Sequence, residues 1–235
     1  MKNIPYFETL LEGLKPINPK RMTTFKGKDI TFLENIEADM MKEEIHCYEA
    51  EKIEKIIMMK ATILGGKLIV WATNIVPKDE YDLPIFSSEL VQAVNHISLR
   101  VDLIPTADCG RDMGYLTKYM EPMEPLWEKY KDIPGMSNEG YLWFRAMLSP
   151  FYTGGKFKYE QEGMEDKSLE ITADYLNLYT KFWSDAQKQD PKYMELLIGR
   201  KKAMFATLRE NDPGEGPMRK AFGEETSDFI FSLLF

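Results

Sequence analysis

The side chains available for proton chemistry in this sequence are mainly carboxylates. The 235 residues include 38 Asp and Glu but only two histidines, His46 and His96, and two cysteines, Cys47 and Cys109. Neither histidine has a companion at metal-ligand spacing, and two cysteines are too few for an iron–sulfur centre or a disulfide framework. We interpret both histidines as structural. Any acid or base catalysis in this chain therefore falls to Asp or Glu.

Glu89 is a carboxylate in the middle of a predicted strand. It lies inside a β-prone run, residues 85–91, between apolar neighbours. Burial of such an acid favours its neutral form and makes it a proton donor. The alternative is a glutamate on the solvent side of the strand, and the residue types alone favour that alternative.

Asp212 and Arg145 are two further candidates for a site. Asp212 lies in Asn-Asp-Pro-Gly, residues 211–214, where turn geometry alone accounts for Asn and Asp. Arg145 lies in an apolar run, residues 141–148, that we predict to be a strand. An arginine on such a strand is uncommon unless an anion pairs with it.

Composition and missing motifs exclude several classes of protein. The net charge of −8 disfavours broad binding to nucleic acid or to anionic membranes. The sequence has no phosphate-binding loop, no dinucleotide-binding glycine motif and no nucleophile elbow. Lys60 and Lys67 interrupt the longest apolar stretch, and residues 1–21 lack the core of a signal peptide. We expect a cytoplasmic monomer, or a protein of the plastid stroma if the precursor carried a transit peptide.

Hydrophobic periodicity predicts a single domain, residues 1–235, in which helices cover both faces of a sheet. The predicted strands are residues 30–33, 45–48, 56–59, 61–64, 68–76, 85–91, 97–104 and 141–148. The predicted helices are residues 6–14, 111–130, 169–187, 191–208 and 219–234. The short turns between strands, such as Gly65-Gly66, indicate antiparallel pairing.

Five segments in order resemble the ferredoxin-dependent bilin reductases. They are Cys47-Tyr48, residues 82–91 (DLPIFSSELV), residues 101–105 (VDLIP), residues 141–145 (YLWFR), and Asn211-Asp212 with residues 220–224 (KAFGE) and the terminal Leu-Leu-Phe. Residues 86–92 and 145–150 also resemble the sister group, red chlorophyll catabolite reductase, which shares the glutamate at position 89. The first 45 residues add nothing to either resemblance.

The resemblance implies a fold, a reaction and a partner. The family fold is a three-layer α/β/α sandwich with a central antiparallel sheet. The implied reaction is reduction of a linear tetrapyrrole, with biliverdin IXα as the expected substrate. Single electrons come from reduced [2Fe-2S] ferredoxin, and no flavin or metal is bound.

The resemblance also assigns roles to residues. Glu89 falls on the family's central acid, which protonates the bilin, and Asp212 on a second acid in the C-terminal loop. Arg145 falls on the propionate-binding arginine, although a salt bridge to a neighbouring acid would also explain it. We add Asn211, Asn74 and Trp71 as substrate-binding candidates; ordinary turn, strand-edge and core roles are the alternatives for these three.

The sequence departs from the phycocyanobilin-forming branch at two hairpin positions. Lys60 and Ala72 stand, in an ungapped comparison, where that branch has a glutamate and a histidine that serve reduction of the D-ring vinyl group. Neither residue replaces that acid–base function. We therefore do not expect phycocyanobilin by the usual route.

Ferredoxins are acidic, so this acidic protein needs a local positive surface to receive one. The candidates are Arg200, Lys201, Lys202 and Arg209, with Arg219 and Lys220 as additions. A solvated helix face is the alternative interpretation of these residues.

Two other functions stay open at this point. One is a reductase of chlorophyll breakdown products, suggested by the surroundings of Glu89. The other is a bilin carrier on a reductase fold without catalysis, which the missing hairpin acids allow.

Overall fold

Five long strands of nine to eleven residues form the centre of the computed structural model, which describes residues 3–137, 140–159 and 161–235. The strands are β1 (Lys20–Arg21), β2 (Thr24–Phe25), β3 (Lys28–Asp29), β4 (Ile36–Ala38), β5 (Met41–Ala50), β6 (Ile53–Ile63), β7 (Leu68–Pro77), β8 (Ile85–Ala93), β9 (His96–Ile104) and β10 (Thr153–Lys158). The helices are α1 (Tyr6–Gly13), α2 (Met113–Tyr115), α3 (Glu124–Tyr130), α4 (Leu142–Arg145), α5 (Met164–Asp185), α6 (Pro191–Asn211), α7 (Glu215–Phe222) and α8 (Glu224–Leu234).

Shorter helical turns connect some of these elements. A π-helical turn, Leu116–Met120, and a 3-10 turn, Glu121–Met123, join α2 to α3, so residues 113–130 are helical throughout. Further 3-10 turns lie at Lys15–Ile17 and Thr31–Asn35. No helix in the described ranges has the length and the apolar content needed to cross a membrane.

The main sheet is antiparallel, with the order β1-β5-β6-β7-β8-β9-β10. The short strand β4 pairs with residues 41–43 at the start of β5. Sequence neighbours are therefore spatial neighbours from β5 to β9. The β6–β7 turn uses Gly65 and Gly66, both at positive φ, as the Gly-Gly pair predicts. This meander fixes which residues of neighbouring strands lie side by side.

Helices cover both faces of the sheet, which confirms the predicted three-layer sandwich. Helices α1 and α5, with residues 113–130, pack on the first face in an aromatic core that includes Tyr6, Phe86 and Tyr175. Helices α7 and α8 pack on the second face, against Ile45 and Ile57. Because side chains alternate along a strand, every other residue of β5–β9 points towards the second face.

The structure corrects several predicted elements. Residues 30–33 contribute to a 3-10 turn instead of a strand, and residues 141–148 contain the helix α4. Short apolar runs do not distinguish strand from helix by periodicity alone. The strand beside β9 is β10. The sequence did not predict it, because its two glycines, Gly154 and Gly155, are atypical of a strand. The predicted last helix is divided at Gly223, whose φ of 81° ends α7.

A turn at Gly135 lies unusually close to β10. The backbone N–H of Lys156 donates to the Gly135 carbonyl over 2.9 Å, and Ser137 donates to Gly154 over 2.8 Å. A Cβ atom on Gly155 would lie 2.7 Å from the Gly135 oxygen, a contact that only glycine avoids. This contact fixes the edge strand beside β9.

We predict that Gly155→Ala lowers the free energy of unfolding by about 1–3 kcal/mol, because backbone must move to admit the methyl group. The control is Gly199→Ala on α6, where nothing lies within 4 Å of the added Cβ. That change should raise stability by up to about 1 kcal/mol through helix propensity. Urea unfolding of both variants measures the difference, and equal stability of Gly155→Ala and wild type would contradict the packing described.

Candidate functional site

A cavity of about 400 Å³ lies between the second face of the sheet and helices α6, α7 and α8. Its size is within the range of pockets for small molecules and cofactors. The sheet forms the floor, and the loop between α6 and α7 closes one side. Most of the lining is apolar: Met41, Met59, Ala61, Ile63, Leu68, Val70, Ala72, Ile85, Val91, Ile104, Phe144, Met204, Phe205, Leu208, Met218, Phe231, Leu234 and Phe235.

Glu89 points into this cavity and is paired with an arginine on the next strand. Strand register places Ala72, Glu89 and Arg100 side by side on β7, β8 and β9. The Glu89 Oε1 atom lies 3.1 Å from a guanidinium nitrogen of Arg100. The Glu89 side chain is 36% exposed, so it is half-buried, in contrast to the buried acid that we expected. The Glu89 side chain is partly exposed because it lines the cavity.

The sequence analysis did not identify Arg100 as a site residue, although the short segment between the predicted strands 85–91 and 97–104 indicates a hairpin. Glu89 and Arg100 lie at equal distances from the turn between β8 and β9, so a tight turn pairs them. The Arg100 Cζ atom lies 4.1 Å from the centre of the Phe144 ring, a cation–π contact. Helix α4 therefore supplies an aromatic support for the arginine.

A buried carboxylate holds the segment after α4 in place. Asp102 on β9 accepts hydrogen bonds from the backbone N–H of Ser149, over 2.8 Å, and from the Ser149 hydroxyl. Burial raises the pKa of Asp102 to about 6, although these hydrogen bonds oppose the shift. The contact ties α4, and with it Phe144, to the strand that carries Arg100.

Asp212 joins the same cavity from the loop between α6 and α7. Its Oδ1 atom accepts from the Gly214 N–H over 2.7 Å, which is a local turn contact. Burial raises the pKa of Asp212, the charge of Glu89 acts in the same direction, and Arg100 acts against both. The structure therefore brings the two predicted acids together in one electrostatically coupled group with Arg100.

The other predicted residues on β6 and β7 divide between the two faces. Asn74 lines the cavity, next to Ser87 on β8. Ala72 does too, and Met59 is its partner on β6. Lys60 is on the opposite face, where its Nζ atom lies 3.5 Å from Glu44, because it alternates along β6 with Met59 and Ala61, which line the cavity.

Three predicted substrate-binding residues lie outside the cavity lining. Trp71 is 3% exposed and faces the first core, with its ring centre 6.2 Å from that of Tyr6, because it alternates with Ala72 along β7. Asn211 is exposed and donates to the Thr207 carbonyl over 2.9 Å. Arg145 is exposed at the end of α4, since the predicted strand is a helix. The arginine in the cavity is Arg100.

The predicted basic patch is largely neutralised. Lys201 is buried, pairs with Asp79 and donates to the Pro77 carbonyl. Arg209 pairs with Glu215 and Asp228, as Arg219 also does. Arg200 is half-buried and donates to the Pro105 carbonyl over 3.3 Å. Lys202 is exposed. The spacing of these cations in sequence did not reveal their acidic partners.

The histidines lie away from the cavity. The ring of His46 contacts that of Phe7, with centres 5.6 Å apart, and His96 Nδ1 lies 2.7 Å from the side-chain oxygen of Asn95. Within residues 3–137, 140–159 and 161–235, no group of three His, Cys, Asp or Glu side chains is placed to hold a metal ion.

One acid in the cavity wall has no counterpart in the sequence analysis. Glu43 on β5 is 1% exposed, and burial raises its pKa to about 8. The sequence did contain an indication of this burial. Glu43 alternates in step with Met41, Ile45 and Cys47, and these alternate residues of β5 are buried.

Comparisons with known proteins point to one family. A family model described as "Ferredoxin-dependent bilin reductase" matches residues 13–235. Phycoerythrobilin:ferredoxin oxidoreductase of Gloeobacter violaceus is 30% identical over 173 residues, which cover 73% of this chain and 69% of that protein. The 15,16-dihydrobiliverdin:ferredoxin oxidoreductase of Nostoc punctiforme is 25% identical over 194 residues, 80% of this chain and 76% of that protein.

A solved structure supports the fold. Phytochromobilin synthase from tomato, crystallised in complex with biliverdin, superposes with a TM-score of 0.78 at 17% sequence identity. The match covers 96% of this chain and 79% of the tomato chain. With a family match over nearly the whole sequence and this shared architecture, the chain belongs to the ferredoxin-dependent bilin reductase family.

Proposed function

We propose that this protein reduces a linear tetrapyrrole, biliverdin IXα or a close relative, with single electrons from reduced [2Fe-2S] ferredoxin. The observation that carries the proposal is that Glu89, Arg100 and Asp212 face one apolar cavity in a chain of this family. The relatives described above are ferredoxin oxidoreductases of bilins, and the tomato enzyme was crystallised with biliverdin.

The chemistry requires protons as well as electrons. Reduction of one double bond of the pigment consumes two electrons and two protons, and it oxidises two ferredoxins in succession. The first electron produces a radical anion, which is a stronger base than the starting pigment. A carboxylic acid within hydrogen-bond reach then transfers a proton to it. We assign the first proton to Glu89 and assistance with the second to Asp212, and both acids regain protons from solvent.

The two acids have different surroundings in the cavity. Burial raises the pKa of Asp212, which keeps a proton on it at higher pH than an exposed aspartate would. Glu89 is paired with Arg100. A bilin propionate competes for Arg100, and the flat rings displace water. Glu89 then loses its cation, and its carboxyl group faces the rings of the pigment.

Ferredoxin would approach the helical layer over the cavity. Since most predicted cations are paired with acids, we assign steering to the exposed Lys202 on α6 and Lys220 on α7. A positive patch of this kind affects the rate of encounter more than the final affinity. Electrons would pass singly from the cluster to the bound pigment, with the tetrapyrrole itself as the acceptor.

A bilin carrier is the second candidate function. Met59 and Ala72, which face each other on the cavity floor, favour it because neither side chain transfers protons. The two functions differ in their dependence on Glu89. A carrier needs only the cavity, whereas a reductase needs the acid.

Glu89→Gln should lower biliverdin turnover by at least about 100-fold, because the amide has no proton to give, while binding changes by only a few-fold. Absorption spectra of biliverdin with reduced ferredoxin under anaerobic conditions measure turnover, and chromatography identifies the product. The matched control is Glu44→Gln on the opposite face, which should retain full activity. Unchanged turnover in Glu89→Gln would remove the proposed donor, and wild-type protein that binds biliverdin without reducing it would favour the carrier.

Arg100→Met should weaken biliverdin binding by roughly 10- to 100-fold, the cost of a lost charge-assisted hydrogen bond. Biliverdin dimethyl ester, which lacks the propionate charges, should bind the variant and wild type with similar affinity. Arg145→Met is the control, because that arginine lies outside the cavity lining. Absorption titrations give the affinities. Loss of binding in Arg145→Met alone would instead support the role that the sequence resemblance implied.

The rate of reduction should fall as pH rises through the raised pKa of Asp212, because its protonated form is the donor. Asp212→Asn should slow the reaction and remove that part of the pH profile. Single-turnover absorption measurements between pH 5 and pH 9 (roughly the range in which a raised carboxyl pKa is visible) follow the radical and the product. A pH profile that is the same in Asp212→Asn and wild type would exclude Asp212 as the titrating group.

A further inference from the structure

Glu43 forms part of the cavity wall far from Glu89. It lies on β5 between Ile36 of β4 and Ala61 of β6, and its side chain lines the cavity near Met41 and Ile63. Only 1% of the residue is exposed. An acid at such a place in an apolar wall requires a physical explanation.

The structure supplies no partner that would compensate for this burial. The Glu43 Oε2 atom is fully buried and makes no hydrogen bond within the described ranges. Its sequence neighbours Lys42 and Glu44 lie on the opposite face, where Glu44 pairs with Lys42 and Lys60. A buried polar atom without a partner costs free energy, and such atoms are rare in native proteins.

The surroundings define the chemical form of the acid. Burial raises the pKa of Glu43 to about 8, so its neutral form predominates at pH 7. A neutral carboxylic acid presents an O–H donor and a C=O acceptor side by side. Its terminal torsion has a broad energy minimum, so the carboxyl plane has no strong intrinsic preference for one orientation.

We propose that Glu43 binds a terminal lactam ring of the linear tetrapyrrole. A lactam presents an N–H and a C=O side by side, so the carboxylic acid accepts from the first and donates to the second. This inference rests on the proposed function, since it requires a bilin in the cavity. It gives the unpaired acid a partner and makes Glu43 a substrate-binding residue distinct from the two proton donors.

The position of Glu43 would also set the orientation of the pigment. Register aligns Glu43 with Ala61, Val70 and Val91, which places it three strands, or roughly 14 Å, from β8. The propionates of biliverdin are on its inner rings, and Arg100 is the cation at the opposite side of the cavity. A propionate at the Glu43 end would be buried among apolar side chains without a cation, which is costly. A terminal lactam is neutral and has no such cost.

Biliverdin titrations of the Glu43→Met and Glu43→Gln variants test the inference. Glu43→Met, of similar size but apolar, should bind biliverdin about 10-fold more weakly than wild type, as expected for lost hydrogen bonds. Glu43→Gln retains an adjacent donor and acceptor, so it should bind within about threefold of wild type. Glu44→Met, on the opposite face, is the matched control and should bind normally.

Two readouts separate binding from folding. Without ligand, Glu43→Met should melt at a higher temperature than wild type, because an unpaired buried acid has been removed. In infrared difference spectra, the C=O band that is present in wild type and absent from Glu43→Gln identifies the Glu43 carboxylic acid, and this band should shift to lower frequency when biliverdin is added.

The possible failures are distinguishable. If wild type binds and reduces biliverdin, but Glu43→Met binds it equally well and the carboxylic acid band does not move, the lactam contact is wrong and the proposed function stands. If wild type does not bind biliverdin, the proposed function and the Glu43 contact are both overturned.

Discussion

The ion pair between Glu89 and Arg100 is the contact on which the chemistry proposed for the cavity depends. Its 3.1 Å separation follows from the pairing of β8 with β9, which places both residues on the face that lines the cavity. In a mostly apolar site, neither charge is stable without the other or without solvent. A ligand that supplies its own carboxylate can exchange with Glu89 for the arginine. In the proposed mechanism, binding of such a ligand therefore releases Glu89 from the arginine.

The surrounding structure holds this pair in position. Phe144 supports the guanidinium, and the contact between Asp102 and Ser149 fixes the segment that follows α4. β10 packs beside Arg100 through Gly154, its register partner. Above the sheet, the α6–α7 loop brings Asp212 to the same cavity. The first face, by contrast, is covered by a dense aromatic core, and the candidate site lies on the second face.

The sequence predicted the parts of the site that depend on local patterns. The β6–β9 meander follows from alternation, the Gly65-Gly66 turn and the short connections between strands, and it places Asn74 on the cavity floor. Features that depend on register were harder to predict. Strand parity places Lys60 on the face opposite the cavity and Trp71 in the first core. These errors come from a period of two, in which a shift of one residue reverses every side chain.

Other features depended on tertiary contacts that no local pattern encodes. The run that contains Arg145 forms a helix, and β10 takes the place beside β9 that the run was predicted to fill. The partners that neutralise Lys201 and Arg209 come from distant segments, so the charge pattern overstated the positive surface. Glu43 was visible as an acid at an inward position of β5, but its isolation from any partner becomes clear only in three dimensions.

A crystal structure of the protein with biliverdin bound is the most direct test of the central claim. The account predicts that a propionate oxygen lies within hydrogen-bond distance of the Arg100 guanidinium, that Glu89 has left the arginine and faces the pyrrole rings, and that Asp212 contacts the same pigment. Biliverdin bound elsewhere, or bound in the cavity with the Glu89–Arg100 pair intact and no propionate on the arginine, would contradict it.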